Sequence, residues 1–228
     1  MAAEESIVSR VQKLLALALN NSNPAEAELA MTKARELMVK HAVEEWQLAG
    51  KKTELDVDIV KIDIGRRFEG WMKIVQIAVT QMYDGKNYVG TRGGADVATI
   101  VLAKSDVELF QTSYAFVVKT ILREAAKITH GKTVASSFRM GAAVGLLDAV
   151  EKVKAAERNA PPKGKAGAES TALVLVRKDS IAKAAKEMFP KTRAMSIAVN
   201  AADRASYAAG YNLGATLGTP ERKKIDGE

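Results

Sequence analysis

The chain has no cysteine in its 228 residues, which excludes disulfides and thiolate metal sites and fits a reducing compartment. Its two histidines, His41 and His130, form no H-E-x-x-H pair, so the common zinc-hydrolase ligand set is absent. There is no nucleophile elbow, and Ser137 and Ser206 have no evident base beside them. Aromatic residues make up only 5% of the chain against 47% hydrophobic residues overall, so alanine and aliphatic side chains must build the core. That favours helix. No apolar run is long enough to span a bilayer and no leader pattern is evident, so the expected location is the cytoplasm, without a membrane partner. No catalytic residue, cofactor or metal is assigned, and the balance leans away from an enzyme.

What is present begins with two helical arms between Ile7 and Ala42. Ile7, Val11, Leu14 and Ala18 recur at the spacing of one helix face, with Arg10, Gln12 and Lys13 on the other side. Asn23, Pro24 and Glu26 form a helix-start signal. Ala27, Ala30, Met31, Ala34, Leu37, Met38 and His41 then make a second apolar stripe. On the L-L-A-L-A run at Leu14–Ala18 and the pattern from Glu26 to His41, the chain resembles the bacterial and phage family catalogued as domain of unknown function 2786. The resemblance implies an intracellular phage or bacterial protein with a second, uncharacterised domain after the hairpin. Trp71, Val89-Gly90, Asp96-Val97 and Ser137-Phe138 to Gly141 resemble that companion. No established catalytic residue comes with the resemblance.

Charge is distributed unevenly. Residues 1–50 hold five Lys or Arg against seven Asp or Glu, 51–110 nine against nine, 111–159 eight against four, and 160–228 twelve against seven. The whole excess of the formal +7 therefore lies after residue 110. Clustered cations of this kind suit phosphate contact.

Along the chain, Leu55, Val57 and Ile59 alternate with Asp56 and Asp58, and the apolar phase shifts at Val60, which predicts a strand over 54–64 with a bulge near Ile59 and Val60. Asp56, Asp58 and Asp63 lack a calcium-loop glycine or a histidine partner and read as exposed strand carboxylates rather than a cation site. Phe68, Trp71, Ile74, Val75, Ala78 and Met82 predict a helix stopped by Asp84-Gly85. Strands over 86–91 and 97–103 flank a glycine-rich tip holding Arg92. That tip matches neither phosphate-loop fingerprint, and a reverse turn is the better reading than an anion nest. Ser105 and Glu108 predict a capping box opening a long helix with Leu109, Phe110, Tyr114, Val117, Val118, Ile121, Leu122, Ala125 and Ile128 inward. A helix from Ser136 or Ser137 follows, then a mobile basic linker over 159–170. A strand over 171–176, a helix over 179–188 and a helix over 194–217 close the series, with a charged tail.

A short echo links two of these helices. Ser137-Phe138-x-x-Gly141-x-x-x-Gly145 and Ser206-Tyr207-x-x-Gly210-x-x-x-Gly214 share one pattern. Small residues four apart let backbones approach, so the two helices are expected to pack on each other, or on copies in a homo-oligomer.

The expected fold is α+β: a helical hairpin over 1–50 and a helix-rich domain over 51–228 with a small, mainly antiparallel sheet. The expected function is non-catalytic nucleic-acid binding through Arg92, Lys163, Lys165, Arg177, Lys178, Lys183, Lys186, Lys191 and Arg193. The alternative is an adaptor or inhibitor that docks on a host protein through the hairpin.

Overall fold

The structure is a computed structural model. It describes residues 57–63, 69–92, 95–128, 131–159, 177–193, 198–199 and 201–218, with isolated positions between 10 and 37. Its centre is strand β3 (Ala95–Ala103), flanked by β1 (Val57–Asp63) and β2 (Lys86–Arg92), all antiparallel in the order β1-β3-β2. The fold is thus helix-rich with a small antiparallel sheet. The β1–β3 register runs without interruption from Val57 opposite Ala103 to Asp63 opposite Val97, so the expected bulge is absent. A shift in apolar phase requires a bulge only where one face of a sheet is wet, and β3, the strand on which β1 pairs, is covered on both. Ile100 and Leu102 enter the main core, whereas Val101 enters a smaller cluster on the opposite face. The β2–β3 hairpin is tighter than expected: pairing extends to Arg92 opposite Ala95, which makes Gly90 a strand residue opposite Val97. The strand expected over 171–176 lies outside the described residues.

Helix α1 (Gly70–Met82) lays Trp71, Ile74, Val75, Ala78 and Val79 into the main core. Trp71 Nε1 donates to Glu69 Oε2 at 2.8 Å, and Arg139 Nη1 donates to Glu69 Oε1 at 3.2 Å, tying the start of this helix to a later one. The helix stops where Asp84 takes a left-handed conformation, φ 56°, a region that Asp and Asn tolerate better than other side-chain-bearing residues. A 3-10 turn (Lys104–Asp106) then leads into α2 (Val107–Ala126). Here the expected capping box fails. No side chain caps the helix, and Asp106, the residue at its cap position, sends its carboxylate to Arg177 instead. Leu109, Phe110, Phe116, Val117 and Ile121 are buried, but Leu122, expected inward, is 39% exposed.

Helix α3 (Lys132–Asn159) starts earlier than its serines suggest. Helix α4 occupies residues 177–188, and α5 is Arg204–Gly218, ten residues shorter at its start than expected. Asp203 sets that boundary: its Oδ1 accepts the Ser206 N–H at 2.8 Å, an N-cap, while its own N–H donates to Ser137 Oγ at 3.1 Å.

The echo is realised within the chain. A Cβ added at Gly141 would meet the Tyr207 carbonyl oxygen at 2.0 Å, and one at Gly210 would meet the Phe138 oxygen at 2.0 Å. One step further along, Gly145 faces the Tyr211 oxygen at 2.1 Å and Gly214 the Ala142 oxygen at 1.9 Å. Contacts advance in the same direction on both helices, so α3 and α5 run parallel. Each glycine lies over the carbonyl three residues before its counterpart, which is a local pseudo-two-fold. Carbonyl oxygens in these places suit weak Cα–H···O contacts, and the glycine faces are closed against each other.

The N-terminal positions that are described are helical. Ala30 and Ala34 of the second stripe are buried in the main core, with Leu14 and Leu37 packed against it, while Arg10, Lys13 and Lys33 face outward.

Substitutions along the seam and the sheet test this packing. Gly141→Ala or Gly210→Ala is expected to destabilise by about 1–3 kcal/mol in urea unfolding, overpacking that outweighs the helix propensity of alanine. Gly90→Ala, with open space around its Cβ, is expected to lie within about 0.5 kcal/mol of the parent. Burial pushes the Tyr114 hydroxyl up to about 12. A folded-state pKa above the unfolded value means the stabilisation is complete below pH 10 and lost as pH rises toward 12. Between those limits the parent is expected to lose roughly 2–3 kcal/mol more than Tyr114→Phe, read by denaturant titration at each pH.

Candidate nucleic-acid interface

The expected phosphate contacts separate into three groups. Lys163 and Lys165 lie outside the described residues, as do the side chain of Arg92 and the greater part of the expected linker. Arg177 and Lys178 are drawn inward. Lys183, Lys186, Lys191 and Arg193 are exposed.

The inward pair is explained by how α4 seats itself. Ile181 and Ala185 bury against Val101, and the Phe189 ring stacks on Tyr88 with centroids 4.4 Å apart, so α4 covers the sheet face opposite the main core. Arg177 Nη2 pairs with Asp106 Oδ2, the two side chains only 10% and 9% exposed. Assigning Arg177 to phosphate contact is therefore corrected: its guanidinium already neutralises a buried carboxylate. Lys178 Nζ lies 3.6 Å from Asp84 Oδ1, an oxygen that also accepts a 3.1 Å hydrogen bond from Lys154 Nζ. Lys178 stays partly exposed, but one of its neighbours is an anion.

The outward group is diluted as well. Asp179 and Glu187 are exposed on α4 four residues either side of Lys183, the spacing at which helical side chains of opposite charge meet. From 177 to 193, removing the two cations directed at carboxylates leaves four exposed cations against two anions.

A denser basic surface stands on α2, among residues that the sequence pattern marks only as a long core helix. Lys119, Arg123 and Lys127 are exposed at four-residue intervals, followed by exposed Lys132. Their only acidic neighbour in residues 119–132 is Glu124. Lys127 Nζ donates to both Glu124 oxygens, at 2.9 and 2.7 Å, and Arg123 Nε donates to Oε1 at 3.2 Å. Burial opposes its ionisation, but the bonds from Lys127 and Arg123 outweigh that and hold the Glu124 carboxyl below its ordinary range. The i, i+4, i+8 spacing is the sequence signal that could have found this row.

Residues 6–45 match the family model described as protein of unknown function, DUF2786. That match is confined to the N-terminal segment. This is the stretch whose Ala30 and Ala34 enter the core, so the family segment joins the rest of the chain through its small-residue stripe. No curated protein and no solved structure matches the chain. Among the described residues no group of three metal-ligating side chains converges, and no helix is long and apolar enough to cross a membrane.

Breaking the buried pair gives a direct test of how α4 is held. Asp106→Ala, which strands a buried guanidinium, is expected to cost about 3 kcal/mol or more and to speed amide exchange over 177–188. The double change Asp106→Leu with Arg177→Met is expected to recover most of that loss, because an apolar pair needs no compensation for desolvation.

Proposed function

We propose that the chain is a non-catalytic nucleic-acid-binding protein of phage or bacterial origin that uses its basic second half. The observation that carries this reading is the segregation of charge: an acidic first fifty residues, and all of the positive excess after residue 110. Lys183, Lys186, Lys191 and Arg193 present part of that excess to solvent. Contacts between such side chains and phosphates release counterions, favour no particular sequence and weaken steeply with salt.

Docking on a host protein through the hairpin is the weaker reading. A helix-in-groove interface needs an apolar stripe for its partner, and in this chain Ala30 and Ala34 of that stripe are buried.

Fluorescence anisotropy with labelled single-stranded DNA, duplex DNA and RNA, each titrated with the full chain over a range of KCl, tests the function. Binding at low salt with little sequence preference is expected. Replacing Lys183, Lys186, Lys191 and Arg193 together by glutamine is expected to lower the slope of log affinity against log salt by up to about 0.7–0.9 for each phosphate that is no longer neutralised. Absence of binding to all three polymers at low salt would refute nucleic-acid binding.

A further inference from the structure

We propose that the outward surface of the C-terminal half of α2 is a phosphate-contacting surface for a nucleic-acid strand, formed by Lys119, Arg123 and Lys127. This rests on the nucleic-acid reading and assigns it to a part of the chain other than the late basic segment. Successive cations on the α2 ridge rise about 6 Å along the helix, so three of them span about 12 Å in a row slanted across it. A row of evenly spaced cations is the complement of a row of phosphates.

Three observations distinguish this row from an ordinary solvated helix face. Cations outnumber anions four to one within residues 119–132, a larger net charge than the exposed part of α4 and its following loop. The one anion is bound by side chains that are themselves open to water, Arg123 at 47% and Lys127 at 66% exposure. Exposed ion pairs are worth little, so a phosphate can replace Glu124 as their partner at small cost. Finally, Arg123 and Lys127 suit the negative pole at the end of α2, but Lys119 lies about two turns inside the helix, where that pole no longer acts.

The occupant favoured is a nucleic acid rather than an anionic membrane. Interfacial helices insert an apolar face into lipid, and that of α2 is already occupied: Leu109, Phe110, Phe116, Val117 and Ile121 are buried in the core. Exposed Leu122 stands beside the row as a single apolar side chain. The ridge lies about 25 Å along α2 from the Asp106 end at which α4 is anchored, at the helix rise of 1.5 Å per residue. Contacts on the two basic surfaces are therefore separable by mutation.

The test uses the full chain and the same labelled oligonucleotides, with anionic phosphatidylserine vesicles as a second probe. Lys119→Gln with Arg123→Gln and Lys127→Gln is expected to weaken oligonucleotide binding at least about tenfold at low salt and to lower the duplex salt slope by about 2–3. Glu124→Gln removes the competing carboxylate and is expected to tighten binding several-fold, an outcome that a misfolded variant cannot mimic. If the parent binds, and the triple variant keeps its affinity and slope while Glu124→Gln changes nothing, the α2 assignment is wrong and nucleic-acid binding stands. If the parent binds no oligonucleotide at low salt, both fail. Binding to vesicles alone, with the same dependence on α2, would replace the nucleic acid by a membrane surface and overturn the proposal.

Discussion

The contact between α3 and α5 is built on the close approach of their backbones at the glycines, and much of the later half of the molecule depends on it. Four glycines take carbonyl oxygens of the opposite helix into the space a Cβ would fill. Ordinary ridge-and-groove packing leaves helices apart by the width of their side chains; here that width has been removed at one seam. Helix α3 can then serve two neighbours, giving Met140, Ala143 and Leu146 to the core around α1 and α2 while its glycine seam holds α5. Among the described residues α5 has no comparably extensive contact with any other element. Its position is inherited from α3.

What can be read in the sequence, and what cannot, divides by the range of the interaction. The echo of glycines is legible because four-residue spacing is a local property, and the same repetition names the partner. The α1 stripe and the β2–β3 hairpin are legible for similar reasons of periodicity. The bulge expected in β1 is absent, although the pattern implies one if one face of the sheet is wet; α4 covers that face at β3 and β2, which local periodicity does not show. The capping box expected at Ser105 is absent because Ser105 lies inside the 3-10 turn, and Asp106, which takes the cap position, is engaged by a partner 71 residues away. Asp203 is a readable cap that the apolar run before it obscures.

Candidate site residues show the same division. Local sequence does not separate Arg177 and Lys178 from Lys183 and Lys186 as phosphate contacts, and the difference between them lies in Asp106 and Asp84, both distant in the chain. Lys119, Arg123 and Lys127 are the opposite case. Their spacing is visible, but each stands within a segment whose apolar residues dominate its pattern. A basic composition therefore describes two populations here: cations that hold the fold together from inside and cations that face solvent in rows.

Asp84 shows how narrow a single position can become when two demands coincide. Its backbone is left-handed, so glycine and asparagine would accept the geometry but remove the charge that Lys154 and Lys178 share. Glutamate would retain the charge on a longer side chain with less tolerance for that backbone. Of the twenty residues, aspartate alone supplies a short carboxylate and an acceptable left-handed turn together. The turn that ends α1 is thereby also the joint at which helices on opposite faces of the sheet meet one carboxylate, and a drift in sequence there would loosen both sides at once.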